Sequence, residues 1–221
     1  MSTSTHPPLV TKKTARARLP PEVRRQQILE AALEKFSALG FAASSIAAIA
    51  RNAGMSKANL YVHFTSKDAI FEAMLTQWLR PSDEVPASQP GQSPDELVDS
   101  LIDNLYHRLT PRAVALIRLL IVEAHRVPHL VERWFEDSLV PARIAQQSRV
   151  DKLVSTGSLS VTALTQDFNF TTIPLLYAAV TQMLLPEEQA CVEFEIIKEA
   201  HRNLLHQLIK PVPGAPPNDR K

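Results

Sequence analysis

Apolar residues recur every three or four positions along most of this chain, and this spacing predicts helices rather than strands. The first helix begins near Pro21 and carries an apolar stripe that ends at Gly40. Two short helices follow at 46–52 and 57–64, and a fourth is expected over 67–80. No stretch shows the apolar–polar alternation of a half-buried strand, so the pattern predicts an all-α fold.

The middle of the chain predicts longer helices arranged around a central one. Proline, serine and glutamine crowd residues 81–93, which are expected to form a connecting loop. Residues 95–109 are amphipathic, and residues 113–124 are apolar except for Arg118 and Glu123. A helix that is apolar on all sides is normally surrounded by other helices, so 113–124 is predicted to be central.

A turn and several prolines divide the C-terminal part into three further segments. These are expected to be helical over 128–155, 161–185 and 187–210, which makes about nine helices in all. The predicted organisation has four parts: a flexible basic arm at 1–20, a small helical domain at 21–67, a larger helical domain at 68–210 and a disordered tail at 211–221.

The amino-acid composition argues against several classes of protein. The chain has 221 residues and a hydrophobic fraction of 45%, which is ordinary for a globular protein. Its 5 glycines argue against a glycine-rich dinucleotide fingerprint. The single cysteine, Cys191, excludes an internal disulfide and a multi-cysteine zinc site, and is expected to be a small buried residue. No apolar stretch approaches a membrane span, so we expect a cytoplasmic protein without a membrane partner.

The net charge of +1 conceals a strong asymmetry. Residues 1–67 hold ten Lys or Arg and three Asp or Glu, a formal charge of +7, whereas the remainder holds fourteen basic and twenty acidic residues, a formal charge of −6. A basic N-terminal segment followed by an acidic remainder is typical of a protein whose N-terminal segment binds a polyanion. A merely solubilising fluctuation of charge is the alternative. The arm at 1–20 could likewise order on DNA or only add solubility.

The stretch IAAIARNAGMSKANLYVHF, residues 46–64, meets the requirements of a helix-turn-helix. Ala50 supplies the small residue needed where the two helices approach, and Gly54, four residues later, suits a left-handed turn. Ser56 is placed to cap the second helix. Four apolar side chains at fixed offsets can hold that helix down: Ile49, Met55, Leu60 and Phe64. The agreement of all these offsets makes the motif fairly specific.

The longer stretch IAAIARNAGMSKANLYVHFTSKDAIFEAML resembles the DNA-binding domain of the TetR family of bacterial repressors. The resemblance covers about residues 21–75, and the rest of the chain is similar to the family in its run of helices, its length and its loop placement. It implies a DNA-binding domain over 21–67 and an effector-binding and dimerisation domain over 68–210. Four positions depart from the family's usual residues: Met55, Ala58, Asn59 and Val62. These departures bear on the operator sequence rather than on the fold.

The second helix of the motif carries the predicted contacts to base edges. Lys57 can donate to guanine, and Asn59 can pair with adenine. Ala58 and Val62 offer only apolar contact, for instance to a thymine methyl group. The resemblance implies base contacts mostly at Lys57, Ala58 and Tyr61, whereas Asn59 could serve either bases or phosphates.

Phosphate contacts are predicted beside this helix. Tyr61 and His63 can donate to phosphate, and Lys67 lies where a cation and backbone N–H groups favour an anion. The resemblance places phosphate contacts at these positions and near Ser44 and Ser45. For Tyr61 and His63, packing and plain surface roles are the alternatives.

The resemblance implies an effector cavity in the body, which apolar side chains could line. The candidates are Trp78, Leu105, Tyr106, Ile117, Leu120, Ile121, His125, Trp134, Phe135, Phe168, Phe170 and Leu176. For each of them, a place in the ordinary core is the alternative. His125 and His129 lie four residues apart, but Pro128 breaks the helix between them, so we expect no metal and no other cofactor.

Two wide apolar stripes lie near the end of the chain. The first consists of Phe168, Ile173, Leu176, Ala179, Val180 and Met183, and the second of Cys191, Phe194, Ile197, Ala200, Leu204 and Leu208. The resemblance implies that they pair with the same helices of a second subunit as a four-helix bundle, and an intramolecular core is the alternative. A twofold dimer would double the base contacts on a palindromic operator.

The function favoured by these observations is a homodimeric repressor that a small, largely apolar effector releases from a palindromic DNA operator. A DNA-binding regulator controlled by a protein partner, or without a ligand, shares the same DNA-binding end. An all-α enzyme is disfavoured because the sequence has no nucleophile elbow, no phosphate-binding glycine loop and no HExxH motif.

Overall fold

The computed structural model describes residues 19–79, 93–157 and 159–208, and these ranges form the all-α fold that the sequence predicts. The tail predicted at 211–221, nearly all of the arm at 1–20 and of the loop at 81–93, and the side chain of Leu208 lie outside the described residues. Within these ranges, no helix is both long and apolar enough to cross a bilayer.

Four helices make up what we call the head: α1 Pro21–Ala43, α2 Ile46–Asn52, α3 Lys57–His63 and α4 Lys67–Leu79. Serine side chains cap the N-termini of three of these helices. The hydroxyl of Ser45 accepts a hydrogen bond from the backbone of α2, that of Ser56 from α3 and that of Ser66 from α4, at 3.0 to 3.1 Å. Near its end α1 kinks at Gly40, whose φ of 79° suits glycine.

The remaining helices make up what we call the body: α5 Pro94–His107, α6 Pro111–Glu123, α7 Pro128–Trp134, α8 Val140–Ser155, α9 Ala163–Gln166, α10 Ile173–Leu184 and α11 Glu187–Leu208. Proline stands in the first turn of α5, α6, α7, α8 and α10, where its missing N–H costs no helical hydrogen bond. A π-helical turn, Phe135–Leu139, joins α7 to α8.

The prediction of a single helix over 161–185 is wrong. α9 ends at Gln166, a 3₁₀ turn spans Phe168–Thr172, and only then does α10 begin. Asp167 leaves the helical conformation, and its carboxylate accepts the N–H of Asn169 at 3.1 Å. Such local side-chain bonds compete with helix continuation, which apolar spacing alone does not reveal.

The core of the head is closed by helices from the body. Buried residues of α1 to α4 form one apolar cluster with Leu116 and Leu119 of α6 and with Leu130 of α7. A second cluster fills the space between α5, α8, α10 and α11, and Val114 of α6 belongs to it. Because α6 contributes to both cores, the head is packed directly onto the body.

The central position predicted for 113–124 holds only for the first turns of α6. Ile121 and Val122 at its end are exposed. The buried residues there include Glu123, which the apolar pattern does not predict. The first turns of α6 are therefore buried between the two cores, whereas part of its last turn is exposed to solvent.

Candidate nucleic-acid interface

The helix-turn-helix forms as its offsets predict. Gly54 has a φ of 66°, and a Cβ built there would have no neighbour within 4 Å, so glycine is favoured by backbone conformation and not by lack of space. The N–H of Met55 donates to the carbonyl of Ala50 at 2.9 Å, which closes the turn. Ile49 and Leu60 are fully buried and hold α3 against the head.

The outer face of α3 is free of contacts with the rest of the head core. Lys57, Ala58, Tyr61 and Val62 are all exposed along it, and Asn59 is half-buried. Val62 is 75% exposed, which is unusual for a large apolar residue on a short helix. This face therefore combines a cation, a phenol and apolar contact area, and is a suitable surface for a DNA groove.

The C-terminal end of α3 is held by Arg25 of α1. Its guanidinium donates to the carbonyl of His63 at 3.1 Å and stacks 4.3 Å from the centre of the Phe64 ring. Through these contacts Arg25 fixes the orientation of α3. Sequence reasoning missed Arg25, because its partners lie far along the chain.

The ammonium of half-buried Lys67 is hydrogen-bonded within the head. Its ammonium donates to the carbonyls of Phe41, Ala42 and Ser44 at 2.6, 3.3 and 3.0 Å. Burial lowers the pKa of Lys67, and the nearby Asp68 charge opposes this effect. Since an ammonium has only three N–H donors, all of them are used to cap the end of α1.

Ser44 is placed inside the head, where the sequence-based interpretation had put a phosphate contact nearby. It is 3% exposed, and its hydroxyl lies 2.8 Å from the carbonyl of Gly40 and 3.0 Å from that of Lys35. In this structure, Ser44 and Lys67 both support the kinked end of α1. Ser45 remains exposed at the start of α2.

A buried carboxylate joins the body to the same kink. Glu123 at the end of α6 is 2% exposed and accepts the N–H of Phe41 at 3.3 Å. Arg126 neutralises it with an ion pair of 2.8 Å. One oxygen of Glu123 lies 3.1 Å from where a Cβ on Gly40 would stand, so glycine leaves the space that the carboxylate needs.

A cavity of about 320 Å³ lies in the body, next to the end of α4. Four of the predicted residues line it: Trp78, Leu105, Ile117 and Leu176. Sequence reasoning missed its polar lining, which consists of Asn104, Arg108, Gln146 and Thr172. Asn104 on α5 and Arg108 directly after it follow Leu101 at helical spacing, and this interruption of an apolar stripe is the available signal.

The other eight predicted cavity residues do not line it, for three reasons. Tyr106 and Phe168 are buried in the second core. Leu120 and Trp134 pack against the first core. The remaining four, which are Ile121, His125, Phe135 and Phe170, are exposed.

The C-terminal helices expose a different set of apolar residues from the predicted one. Ile173, Leu176, Ala200 and Leu204 are exposed as expected for an interface. Ala179 and Ile197 are buried within the chain, Val180 and Met183 are half-buried, and Phe194 packs on Tyr106. Cys191 is exposed, so its predicted burial is wrong. Further exposed apolar residues, which the sequence did not single out, are Tyr177, Leu184, Val192 and Ile196.

The two histidines spaced four apart do not share a helix face. His125 lies in the 3₁₀ turn Ala124–Arg126 and His129 in α7. His129 faces Asp68 of α4, with 3.9 Å between their nearest nitrogen and oxygen atoms. Across the described ranges, no group of three or more His, Cys, Asp or Glu is arranged to hold a metal ion.

Comparison with known proteins agrees with this geometry. Residues 28–74 match the family described as bacterial regulatory proteins, tetR family. The HTH-type transcriptional regulator RutR of Escherichia coli strain K12 is 44% identical over 62 residues, which are 26% of this chain and only 29% of RutR. The regulator UidR of the same strain is 43% identical over 53 residues, 24% of this chain and 27% of UidR.

The fold extends beyond the matched segment. GusR of Salmonella enterica superimposes with a TM-score of 0.55 at 23% identity, over 86% of this chain and 97% of GusR. At such identity the likeness concerns the fold alone, and it includes the body. Taken together, residues 28–74 match the tetR family of bacterial regulatory proteins in sequence, and the described chain beyond them is similar in fold to GusR.

Proposed function

We propose that this protein is a DNA-binding transcriptional regulator, and that it acts as a homodimeric repressor released from a palindromic operator by a small, largely apolar effector. The observation that carries the proposal is the outer face of α3, which stays exposed while the helix itself is anchored from both ends. An exposed, firmly held helix of this kind is what major-groove recognition requires.

The base-reading roles follow from side chains on the outer face of α3, of which Asn59 is half-buried and the others are exposed. Lys57 is suited to guanine and Asn59 to adenine, while Ala58 and Val62 offer apolar contact to thymine. Tyr61 is long enough to reach either a base or a phosphate. His63 and Ser45 are the remaining candidates for phosphate contact, since Lys67 and Ser44 are occupied within the head.

The second subunit is proposed on the exposed apolar stripes of α10 and α11. These neighbouring helices expose Ile173, Tyr177 and Leu184 on one and Val192 and Ile196 on the other. A monomer seldom leaves so large an apolar surface in water. A second copy of the chain would bury it with twofold symmetry, which matches a palindromic operator read by two copies of α3.

The effector is proposed to occupy the cavity beside the end of α4. Its volume of about 320 Å³ lies at the small end of the range for ligand sites. α4 begins beside the DNA-binding helices and ends at the cavity, where Trp78 and Leu79 line it. A ligand that shifts α4 would change the position of both reading helices in the dimer. If no small molecule releases the protein from DNA, a protein partner is the alternative trigger.

Selection of duplexes from a random library with the full chain tests the DNA-binding part. We expect a palindromic consensus, and a fall in log K with log salt whose slope is about −0.9 for each phosphate neutralised. Lys57→Ala should cost about 1–3 kcal/mol and relax preference at one position in each half-site. Lys152→Ala, on α8 of the body, is the matched control and should change neither. Binding that does not respond to salt, or a consensus without symmetry, would contradict the proposal.

A further inference from the structure

The outer face of α3 belongs to a very short helix, so its tilt depends on what holds each end. α3 spans Lys57–His63, which is about two turns, and Leu60 is the one residue within it that is buried. A single buried side chain fixes where a helix lies but not the angle at which it tilts. At the start of α3, the hydroxyl of Ser56 accepts the N–H of Asn59 at 3.1 Å. The tilt is therefore decided by the contacts at the other end.

Arg25 of α1 holds that C-terminal end. Its guanidinium donates to the carbonyl of His63 at 3.1 Å, and His63 is the last residue of α3, where the helix supplies no donor of its own. The same guanidinium lies 4.3 Å from the centre of the Phe64 ring, which is 4% exposed and packs in the core of the head. Arg25 therefore ties the last carbonyl of α3 to a ring that is anchored in the core.

Both contacts need the planar shape of arginine. A guanidinium can stack on an aromatic ring with its face while it donates N–H groups from its edge. The ammonium of lysine carries the same charge but has no flat face, so it cannot reproduce this pair of contacts. The charge of Arg25 and its shape can therefore be separated by a conservative substitution.

We propose that Arg25 is a positioning residue for sequence discrimination: it sets the angle at which α3 presents Lys57, Tyr61 and Val62 to the bases, and it acts through α3 and not through a base contact of its own. The inference rests on the proposed role of α3 as the reading helix. Hydrogen bonds to base edges require accurate placement of the donor, whereas attraction to the phosphates is largely independent of sequence. Loss of the Arg25 contacts should therefore reduce preference for the operator more than affinity for DNA in general.

Arg25→Lys tests this with Arg24→Lys as the matched control. Arg24 is the neighbouring residue of α1, and its guanidinium donates to Gln27 of the same helix at 3.1 Å. Binding of the full chain to the selected operator and to a random duplex of equal length is measured by fluorescence anisotropy. Arg25→Lys should weaken operator binding by about tenfold or more and random binding by at most about twofold. Arg24→Lys should change neither.

Two other roles for Arg25 give different results. If Arg25 is a phosphate ligand, Arg25→Lys keeps operator affinity, while Arg25→Ala weakens both duplexes alike and lowers the salt slope by about one. If Arg25 only supports the fold, Arg25→Lys lowers the melting temperature, and the ratio of operator to random affinity per folded molecule stays that of the wild type. Either result would overturn the inference.

Hydrogen exchange in the free protein tests the holding of α3 without DNA. Arg25→Lys should speed exchange of the amides of residues 61–64 by about tenfold and leave those of Phe36 and Phe71 in the core unchanged. Unchanged exchange at 61–64 would overturn the inference, and so would faster exchange with full preference for the operator. A wild-type protein that prefers no duplex would instead overturn the proposed function, which separates that failure from a failure of Arg25 alone.

Discussion

The head and the body differ in how completely their helices are packed. In the head, short helices are fixed by serine caps, by the glycine turn at Gly54 and by the three hydrogen bonds that Lys67 donates to the end of α1. In the body, long helices leave a cavity and exposed apolar stripes. The contrast teaches that the head is built to present one rigid surface, whereas the body keeps places to be filled by other molecules.

The two regions are nevertheless connected at the kinked end of α1. Lys67 of α4 caps the carbonyls there, and Glu123 of α6 accepts the N–H of Phe41. α4 and α6 also line the cavity, through Trp78 and Ile117 respectively. A displacement at the cavity can therefore reach the head along two helices that converge on the same few backbone atoms.

The largest expected effect comes from removing a ring of the shared core. Phe71 of α4 is fully buried, and its ring packs 6.0 Å from Phe36 and 5.2 Å from Phe41. Phe71→Ala should lower the free energy of unfolding by about 3–5 kcal/mol, measured by urea denaturation. Because α6 and α7 share this core, head and body should unfold together in one transition.

The control for this prediction is Val62→Ala on the exposed face of α3. It should leave the free energy of unfolding unchanged and weaken only DNA binding. Two separate transitions in the Phe71→Ala protein, with the body unaffected, would show that the head is an independent unit and that the shared core does not couple it to the body.

The same contrast explains how far the sequence could predict the molecule. The helix-turn-helix follows from offsets of a few residues, such as Ala50 to Gly54, so local spacing was sufficient. In the body, α10 and α11 have wide apolar faces, and which side of each faces inward depends on α6 and α5, which lie much earlier in the chain. Residues such as Ile197 were therefore assigned outward although they are buried. The contacts of Arg25, Lys67 and Glu123 are long-range pairs that no periodicity reports.

The second prediction tests the joint between the regions. Glu123→Leu removes the acceptor for the Phe41 N–H and leaves Arg126 without its partner, so it should cost about 1–3 kcal/mol of unfolding free energy. Glu123→Gln should recover part of this loss, because its amide oxygen can still accept that N–H. The control is Glu132→Leu, at an exposed position on α7. Equal effects at both positions would mean that Glu123 has no special place in the joint.

The third prediction separates the regions by pH. His201 of α11 is 2% exposed and lies 3.3 Å from the hydroxyl of Tyr106, and burial lowers its pKa from 6.5 to about 4. The folded body therefore favours neutral His201, and stability should fall as the pH drops from 6.5 towards 4. Between pH 7.5 and 5 the loss should be about 2 kcal/mol. Urea titrations of His201→Gln should lack this part of the pH dependence, and identical curves for variant and wild type would refute it.

The smallest expected effect has the opposite sign and lies on the same helix. The ring nitrogens of His206 lie 3.0 Å from Asp95 and 3.1 Å from Asp99 of α5, and Arg202 shares Asp99 at 3.2 Å. Burial acts to lower the pKa of His206, but hydrogen bonds and charges from Asp99 and Asp95 outweigh it and raise the pKa above its ordinary value.

A raised pKa means that folding favours charged His206. Its contribution is complete below the ordinary pKa of about 6.5 and is lost as the pH rises through the folded-state value. Because the pair is partly exposed and competes with Arg202, the contribution should not exceed about 1 kcal/mol. His206→Gln should therefore lower the urea midpoint at pH 5.5 and leave it unchanged at pH 8.5, the reverse of His201→Gln. A shift of equal size at both pH values would mean that His206 stabilises the contact of α5 with α11 by packing and not by charge.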